Sequence, residues 1–457
     1  MRLRHLILTS LFSLATLSGG AFAITVSLDE SRQIAQAALS QGKPEITLQI
    51  AASLLQANPK DSHALLLVSA ANHSLKQPLH GRRAAALAYR YSDNKAQRLQ
   101  AAQLAAQNAL AEERPTLTQI WLRRAALQAE TDAETEAISR AYGRVRTINP
   151  WSFHADLSIR PTSNINNGSD TSLQIIDGVP VVGQLSSDAQ ALSGTLGTVT
   201  LRASYRLRAD ERSRTSVAGR LQVRRVELSS ETEAVAPNVS SRTFAYTYAD
   251  LSLNHTFAIG ESKGNFVRLG ATIAALWASD DIDYTLLRLD AERIWRPKDG
   301  QRLSFGGSVT GYNRDGSLQD SVSYGIRGGY SRTLKRGDNL GLTIAYEKSV
   351  SDLANRELDS VNMRLSYGFA KSWGPAKATA SLTISHADFD EYSVGPIVVP
   401  GGRQDTGAYA DLSLFFPDFD YAGFAPKVTF RAGRKSSNVS RFDTRELSIQ
   451  VGIQSKF

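Results

Sequence analysis

Hydrophobic and polar residues alternate with a period of two along most of the chain beyond Pro150. In the last segment, Leu447, Ile449, Val451 and Ile453 share one parity, and the residues between them are polar or glycine. This alternation is typical of a β-strand with one apolar and one polar face. We count roughly fourteen such segments with turn residues between them, an even number as in bacterial membrane barrels. The pattern predicts an antiparallel outer-membrane β-barrel with lipid outside and a polar lumen inside.

The final residue, Phe457, continues the apolar parity. Outer-membrane barrels resemble one another in such a terminal aromatic residue, and the barrel assembly machinery recognises the last strand. We therefore expect Phe457 to be the insertion signal and this machinery to be a partner during insertion. The alternative is a soluble sandwich strand that ends in Phe by chance, which the other alternating segments disfavour.

Connection lengths predict the orientation of the barrel. If the first strand, Phe153 to Arg160, runs outward, alternate connections should be long outside and short inside. The presumed outer connections include 162–190, 229–241, 315–319, 350–355 and 388–403. The presumed inner connections include 209–213, 297–300, 334–338 and 372–375. A soluble sandwich has no reason to sort its loop lengths in this way.

Charged residues lie mostly on the polar parity of these segments. An arginine that faced lipid at the bilayer midplane would cost about 2 to 4 kcal/mol, so strand arginines should point into the lumen. The candidate lumen charges are Arg202, Arg206, Arg220, Arg224, Arg327, Arg364 and Arg431. Arg225 and Arg293 fit the pattern less well, and we expect them at membrane interfaces or beside β-bulges.

The chain before Pro150 has a different pattern. From about Leu28 to Ile148 it is rich in Ala, Leu, Gln and Glu, with apolar residues at helical spacing. Proline and glycine punctuate this region at intervals that leave helices of one to two dozen residues. We therefore predict an α-helical domain ahead of the barrel.

The first two predicted helices resemble a tetratricopeptide unit. Ala35, Gly42, Ala51 and Pro59 occupy the positions where this repeat of about 34 residues has small residues, a turn glycine and a terminal proline. The small-residue positions of a second unit are filled by Ser69, Gly81, Ala85 and Ala88. A third unit, 94–129, is degenerate. We predict a tetratricopeptide-like solenoid, with an unrelated helical bundle as the alternative.

The N-terminal residues predict secretion. Arg2 and Arg4 precede an apolar stretch, 6–17, that is too short to span a membrane, and an Ala-x-Ala site ends at Ala23. We expect a signal peptide at 1–23, a periplasmic helical domain at 24–148 and an outer-membrane barrel at 149–457. The predicted location is therefore the cell outer membrane, with the helical domain in the periplasm.

Composition limits the partners and the stabilising chemistry. The chain contains no Cys, so we expect neither disulfide bonds nor acylation of an N-terminal cysteine. The formal net charge of +8 suits contacts with lipopolysaccharide or charged groups in a lumen. This excess is too small to predict nucleic-acid binding. Outer-membrane lipid and lipopolysaccharide are the expected surroundings of the barrel.

Enzymatic chemistry has little support in the sequence. There is no H-E-x-x-H, no phosphate loop and no Cys for a zinc site. The histidines considered as catalytic groups or ligands are His63, His73, His80, His154, His255 and His386, and each is isolated in sequence. We expect no catalytic residues, no cofactor and no bound metal.

The start of the barrel resembles that of a known family. The segment 149–153 reads Asn-Pro-Trp-Ser-Phe, and Pro161, Asn164, Ile165 and Asn166 follow within Arg-Pro-Thr-Ser-Asn-Ile-Asn-Asn-Gly. These motifs, together with a preceding tetratricopeptide-like module, resemble the surface lipoprotein assembly modulators. The resemblance implies an outer-membrane translocon that helps lipoproteins or small secreted proteins reach the cell surface. A client of this kind is therefore the expected partner.

Two questions stay open at the level of sequence. The Asn-Ile-Asn motif either turns the chain as it leaves the first strand, since Asn accepts left-handed geometry, or makes a polar contact at the barrel mouth or strand seam. The client either crosses the lumen or leaves through the seam between the first and last strands. Alternative functions are polysaccharide export, with lumen arginines facing an anionic polymer and Tyr246 and Tyr248 stacking on sugars, and a passive porin.

Overall fold

Helices occupy the N-terminal part of the chain. The computed structural model describes residues 26–261, 264–279, 281–314, 320–421 and 423–455. The predicted signal peptide, the connection at 315–319 and Phe457 lie outside the described residues. Seven helices precede the first strand in the described part of the chain. They are α1 (Leu28–Ser40), α2 (Pro44–Ala57), α3 (Ser62–Ser74), α4 (Pro78–Tyr91), α5 (Lys95–Ala111), α6 (Pro115–Ala126) and α7 (Asp132–Ile148).

The helices repeat as pairs, which confirms the predicted solenoid. Leu28 and Ser62, which begin α1 and α3, are 34 residues apart, and so are Pro44 and Pro78, which begin α2 and α4. Proline suits the first helical position because its missing N–H would have no partner there. The chain divides into two compact units between Trp121 and Leu122, within α6.

Small side chains allow the helices of the first unit to approach closely. Ala35 and Ala51 are fully buried around Leu67. At Gly81, a Cβ atom would lie 2.5 Å from Oδ1 of Asn108 on α5, so any larger residue would displace the side chain of Asn108. The side chain of Asn108 donates to the carbonyl of Leu104 and contacts Nδ1 of His73 at 3.2 Å. His73 is thus part of the packing between helices.

The strands begin three residues after α7. They are β1 (Trp151–Thr162), β2 (Leu173–Ile176), β3 (Val179–Gln184), β4 (Gly194–Ala209), β5 (Ser213–Leu228), β6 (Tyr246–Ala258), β7 (Phe266–Ala278), β8 (Asp281–Trp295), β9 (Gln301–Asn313), β10 (Ser321–Thr333), β11 (Asn339–Ser351), β12 (Leu358–Gly368), β13 (Lys377–Phe389), β14 (Ser393–Val394), β15 (Ile397–Val398), β16 (Arg403–Phe415), β17 (Phe424–Ser437) and β18 (Thr444–Ser455). A short helix, α8 (Ser230–Val235), lies between β5 and β6.

Fourteen of the strands within the described ranges form one closed antiparallel barrel, as predicted. Each barrel strand pairs with the next one along the chain, and β1 closes the barrel against β18. The hairpins β2–β3 and β14–β15 form separate small sheets in the connections. Closure leaves no sheet edge, which is the condition for a β-structure in lipid. The fold is that of an outer-membrane barrel.

Long connections gather at one end of the barrel, which we call the long-loop end. The longest are 163–193, 229–245 and 390–402. The opposite end, which we call the short-turn end, has connections such as 210–212, 296–300 and 334–338. One connection at the long-loop end is short, since β8 begins only three residues after β7 ends.

The outward face of the barrel is apolar. Leu251, Ile273, Leu287 and Ile326 lie on four of the strands and are each more than half exposed. Such a continuous apolar surface is stable in contact with lipid rather than water. No helix among the described residues has both the length and the apolar character needed to cross a membrane.

Asp61 links the first two helical pairs. Its side chain caps α3 by accepting from the backbone N–H groups of His63 and Ala64, and it pairs with Arg32 of α1 at 2.7 Å. Burial raises the pKa of Asp61, but the hydrogen bonds from Arg32, Ala64 and His63 and the charge of Arg32 together outweigh it, so the pKa lies below its ordinary value. The charged carboxylate therefore stabilises the folded state.

We call the compact unit that ends at Trp121 the helical unit. We predict that Asp61→Ala lowers the free energy of unfolding of this unit by about 1 to 2 kcal/mol, the usual effect of losing such a cap. The helical melt of the full chain in detergent, followed by circular dichroism at 222 nm, measures this loss. Because the folded-state pKa is depressed, the stabilisation should be present above the ordinary Asp pKa. It should disappear as the pH falls through the folded-state value.

Asp29→Ala is the matched control. Asp29 also pairs with Arg32, at 2.6 Å, but its side chain is 82% exposed. Exposed pairs contribute little, so this variant should melt close to the unmodified chain. Equal melting of the two variants would contradict the assignment of Asp61.

Candidate functional site in the lumen and at the long-loop end

The lumen contains a cavity lined by seven neighbouring strands, β1 and β4 to β9. His154, Arg202, Arg220 and Asp250 lie directly opposite one another on β1, β4, β5 and β6. They line a cavity of about 810 Å³. Hydroxyl groups also line it, including those of Ser152, Ser204, Ser252, Thr272 and Thr310. Charged and hydroxyl side chains therefore make up most of the cavity wall, and Leu276 and Leu286 also contribute to it.

Arginine and tyrosine side chains contact each other along this wall. Nε of Arg220 lies 2.6 Å from Oδ2 of Asp250, and its guanidinium group is 4.7 Å from the ring centre of Tyr248. The guanidinium group of Arg224 is 4.8 Å from the ring centre of Tyr246. The buried Nε of Arg224 has no hydrogen-bond partner among the described residues. Two of the candidate lumen charges are thus held against aromatic rings.

Carboxylates neutralise the arginines on the other side of the lumen. Asp411 of β16 accepts from Arg431 at 2.6 Å and lies 3.4 Å from Arg364. Its side chain is only 7% exposed, so both arginines compensate a desolvated charge. Arg327 lies 3.8 Å from Glu292. These three candidate charges are therefore paired within the barrel wall.

Arg206 contacts the end of the last helix. Its guanidinium group donates to the carbonyl oxygens of Thr147 and Ile148 at 3.0 and 2.8 Å. These are carbonyls of the last turn of α7, which have no partner within a helix. Arg206 thus caps the helix just before the barrel begins, a contact that the sequence pattern did not suggest.

Arg225 and Arg293 lie near strand ends. Arg225 is three residues from the end of β5 at the long-loop end, and Arg293 is two residues from the end of β8 at the short-turn end. The strand register is continuous at both positions, and the described irregularities in the barrel ladder lie elsewhere, at 206–208 and 276–277. Of the two expectations, the structure favours the interface over the bulge.

The Asn-Ile-Asn motif organises the first long loop. The side chain of Asn164 makes two hydrogen bonds with Gly168, each 2.8 Å long. Its Nδ2 donates to the carbonyl oxygen of Gly168, and its Oδ1 accepts from the backbone N–H of Gly168. Asn166 donates to the carbonyls of Asp188 and Gln190 and accepts from the N–H of Leu192.

Ile165 is buried among Leu192, Leu196 and Ala236. The neighbouring Asn167 adopts the left-handed geometry, with a φ of 51°. The motif therefore turns the chain and holds the loop 163–193 in one conformation.

The seam between β1 and β18 has an incomplete ladder. β1 pairs with β4 at every position from Trp151 to Thr162, whereas its ladder with β18, described over 156–159 and at Thr162, skips Arg160 and Pro161. Pro161 lies in the gap on the β18 side and has no N–H to donate. The sequence predicted that β1 would end at Arg160, before this proline. Pairing with β4 instead carries the strand past it.

The first long loop, 163–193, contacts the loop between β17 and β18, 438–443. This second loop leads into β18, which forms the other side of the seam. Oγ of Ser169 donates to the carbonyl of Ser440, and Oγ of Ser440 donates to the carbonyl of Leu173. Ile176, Val399 and Val439 from three different loops form a buried apolar cluster. We call these contacts the loop cluster. No sequence signal identified Ser440 or Val439, because their partners are distant in the chain.

The charged side chain of Arg403 lies at the long-loop end of the barrel. The guanidinium group of Arg403 lies 3.3 Å from the ring centre of Phe442 and 4.9 Å from that of Tyr392. It also pairs with Asp405 at 2.6 Å. Arg403 therefore joins the loops 390–402 and 438–443 through the aromatic side chains of Tyr392 and Phe442.

The barrel histidines do not converge. His154 lines the lumen cavity, His255 bonds to Thr215 at 2.9 Å, and His386 bonds to Thr406 at 3.0 Å. No group of three or more His, Asp or Glu in the described ranges is placed to hold a metal ion.

Comparisons with known proteins show only distant similarities. No protein-family model and no curated protein matches the chain. OprB of Pseudomonas putida is 10% identical over 69% of this chain and 96% of its own, with a TM-score of 0.38. An outer membrane channel from Pseudomonas putida F1 is 11% identical over 66% and 94%, with a TM-score of 0.33. The first TPR domain of the human RPAP3 protein is 14% identical over 26% and 95%, with a TM-score of 0.23.

We predict that Asn166→Ala loosens the first long loop. It would leave the N–H of Leu192 and two carbonyls without partners, at a cost of about 1 to 3 kcal/mol for each buried group. Limited thermolysin digestion of the full chain in detergent, mapped by mass spectrometry, should then cleave within 163–193 at least about tenfold faster.

Asn167→Gly is the matched control for this loop. Glycine adopts the same left-handed geometry without strain, so cleavage should stay close to that of the unmodified chain. Unchanged cleavage in the Asn166 variant would show that the motif does not hold the loop.

Proposed function

We propose that this protein is an outer-membrane translocon of the surface lipoprotein assembly modulator type. It assists the export or surface display of lipoproteins or small secreted proteins. The observation that carries the proposal is the arrangement at the seam. The residues that resemble the family motif shape a loop tied across the seam, and Pro161 of the same motif lies in the gap of its ladder.

The helical unit supports the first step of this function. Stacked tetratricopeptide-like pairs present a concave surface that suits an extended or partly folded polypeptide. The helical unit would hold the client in the periplasm, and the barrel would provide the exit. A fourteen-stranded barrel is narrower than the 16-stranded water-filled porins, so a client crosses unfolded or folds at the exit.

The seam is the favoured route because its ladder is interrupted within the described residues. Parting β1 from β18 breaks no ladder pair at Arg160 and Pro161, whereas parting β1 from β4 would disrupt every pair along the strand. The loop cluster would have to release Ser440 before the long-loop end of the seam could part.

We predict that a disulfide across the seam blocks display. Ile159 and Val451 are opposite each other on β1 and β18, and the chain has no cysteine of its own. The variant Ile159→Cys with Val451→Cys should show strongly reduced surface display of clients when oxidised, and a reductant should restore it. Antibody labelling of intact cells measures the display.

A second disulfide serves as the control. Phe430→Cys with Ile449→Cys joins β17 to β18 in the same way, but next to the seam rather than across it. This variant should display clients normally. Unchanged display after oxidation of the seam pair would point to the lumen as the route.

The function itself is tested by deleting the gene and comparing surface proteins of intact cells with and without it. Loss of one or a few surface lipoproteins or secreted proteins, restored by the full chain, is the expected result. Loss of surface polysaccharide would favour the export alternative. Unchanged surfaces together with a large ion conductance in planar bilayers would favour a passive porin.

A further inference from the structure

Two arginine side chains in the lumen cavity have no acidic partner among the described residues. Arg202 and Arg288 both line it and are exposed to it. Neither makes an ion pair or a hydrogen bond to a described residue, in contrast to Arg220, Arg364 and Arg431. The acidic residue in the cavity wall, Asp250, is paired with Arg220 at 2.6 Å. Arg288 also borders a neighbouring cavity lined by Asp290, Glu292 and Glu347, but the residues that line this cavity carry an excess of positive charge.

This excess opposes the stability of the barrel. Arg202 lies directly opposite Arg220 on the neighbouring strand, and like charges in this position repel. Elsewhere on the lumen face, this protein places carboxylates beside Arg327 and Arg431 and an aromatic ring beside Arg224. Arg202 and Arg288 are left available for an external anion.

The wall around them supplies hydrogen-bond donors. Tyr246 accepts from Nε2 of Gln222 at 2.8 Å, which leaves its own hydroxyl hydrogen free to donate. Serine and threonine hydroxyls line the cavity beside the two arginines. Guanidinium and hydroxyl donors together match the oxygen atoms of a carboxylate.

The tyrosine rings argue against a sugar as the occupant. Four tyrosines line the cavity, and each has a guanidinium group within 5.3 Å of its ring centre. The four are Tyr246, Tyr248, Tyr284 and Tyr312. Sugar stacking uses an aromatic face, and here a guanidinium group already lies close to each ring. A flexible chain with carboxylate side chains needs no such face.

We propose that this cavity binds carboxylate side chains of an acidic, extended polypeptide segment, with Arg202 and Arg288 as the charged contacts. The inference rests on the proposed function in that the polypeptide would be the client, entering the lumen before it leaves the barrel. The site then retains an acidic stretch of the client inside the barrel. Its affinity should fall with salt, as for any contact between exposed charges.

The test measures binding of fluorescein-labelled hexaglutamate to the purified full chain in detergent by fluorescence anisotropy. Arg202→Gln with Arg288→Gln should weaken binding by about tenfold or more, as expected for the loss of charge-assisted hydrogen bonds. The control, Arg225→Gln with Arg293→Gln, removes the same charge outside the lumen and should bind as the unmodified chain does. Heat-modifiable migration in gels confirms that each variant is a folded barrel.

Competition identifies the kind of anion. Unlabelled hexaglutamate should displace the probe, and hexaglutamine should not. Equal binding by the lumen variant and the unmodified chain, or no binding to the unmodified chain, would overturn the site. Displacement by oligogalacturonate as effective as that by hexaglutamate would overturn the assignment to a polypeptide.

This outcome is separate from that of the proposed function. The binding assay needs no client and no cell, so its failure leaves the display experiments unaffected. A chain that binds hexaglutamate but whose deletion leaves the cell surface unchanged would fail as a translocon and keep its anion site.

Discussion

In lipid every backbone N–H and C=O group must find a partner within the protein, and the barrel meets this condition by closing β1 onto β18. Closure is also where the condition is met least completely, since Pro161 contributes no N–H and part of the ladder is absent. The strands on the other side of β1 and β18 are continuously paired. The hydrogen-bond ladder of the barrel is therefore weakest at the seam between β1 and β18. At the long-loop end, hydrogen bonds between loops tie the two sides of this seam together.

Charge within the barrel follows a second constraint. Arginine cannot face the lipid core, so it collects on the lumen face, where burial makes an uncompensated charge costly. Asp411 holds two arginines at once, and Arg403 is surrounded by aromatic rings and a carboxylate. These contacts neutralise charge over part of the wall. Arg224 lies against the ring of Tyr246, whereas Arg202 and Arg288 make no ion pair or hydrogen bond to a described residue, which is why we assign them to a ligand.

The helical unit depends on small residues and on an ion pair between its helical pairs. Gly81 and the buried alanines permit paired helices to approach, and Asp61 ties one pair to the next through Arg32. The repeat predicted from Ala35, Gly42, Ala51 and Pro59 is recovered as helices that recur after 34 residues. At the start of the barrel, Arg206 caps α7, so the last helix and the first strands are joined by side-chain contacts as well as by the chain.

The sequence by itself determined the helical repeat, the number of barrel strands and the face on which each strand residue lies. These properties follow from local periods of two and of about 3.6 residues, which any window of the chain displays. Only the tertiary structure decided which arginines are neutralised, where the ladder is interrupted and what the asparagines of the motif bind. Arg364 meets Asp411 47 residues later, and Ser169 meets Ser440 271 residues later. Such pairs depend on strand register and on closure, and no local pattern contains either.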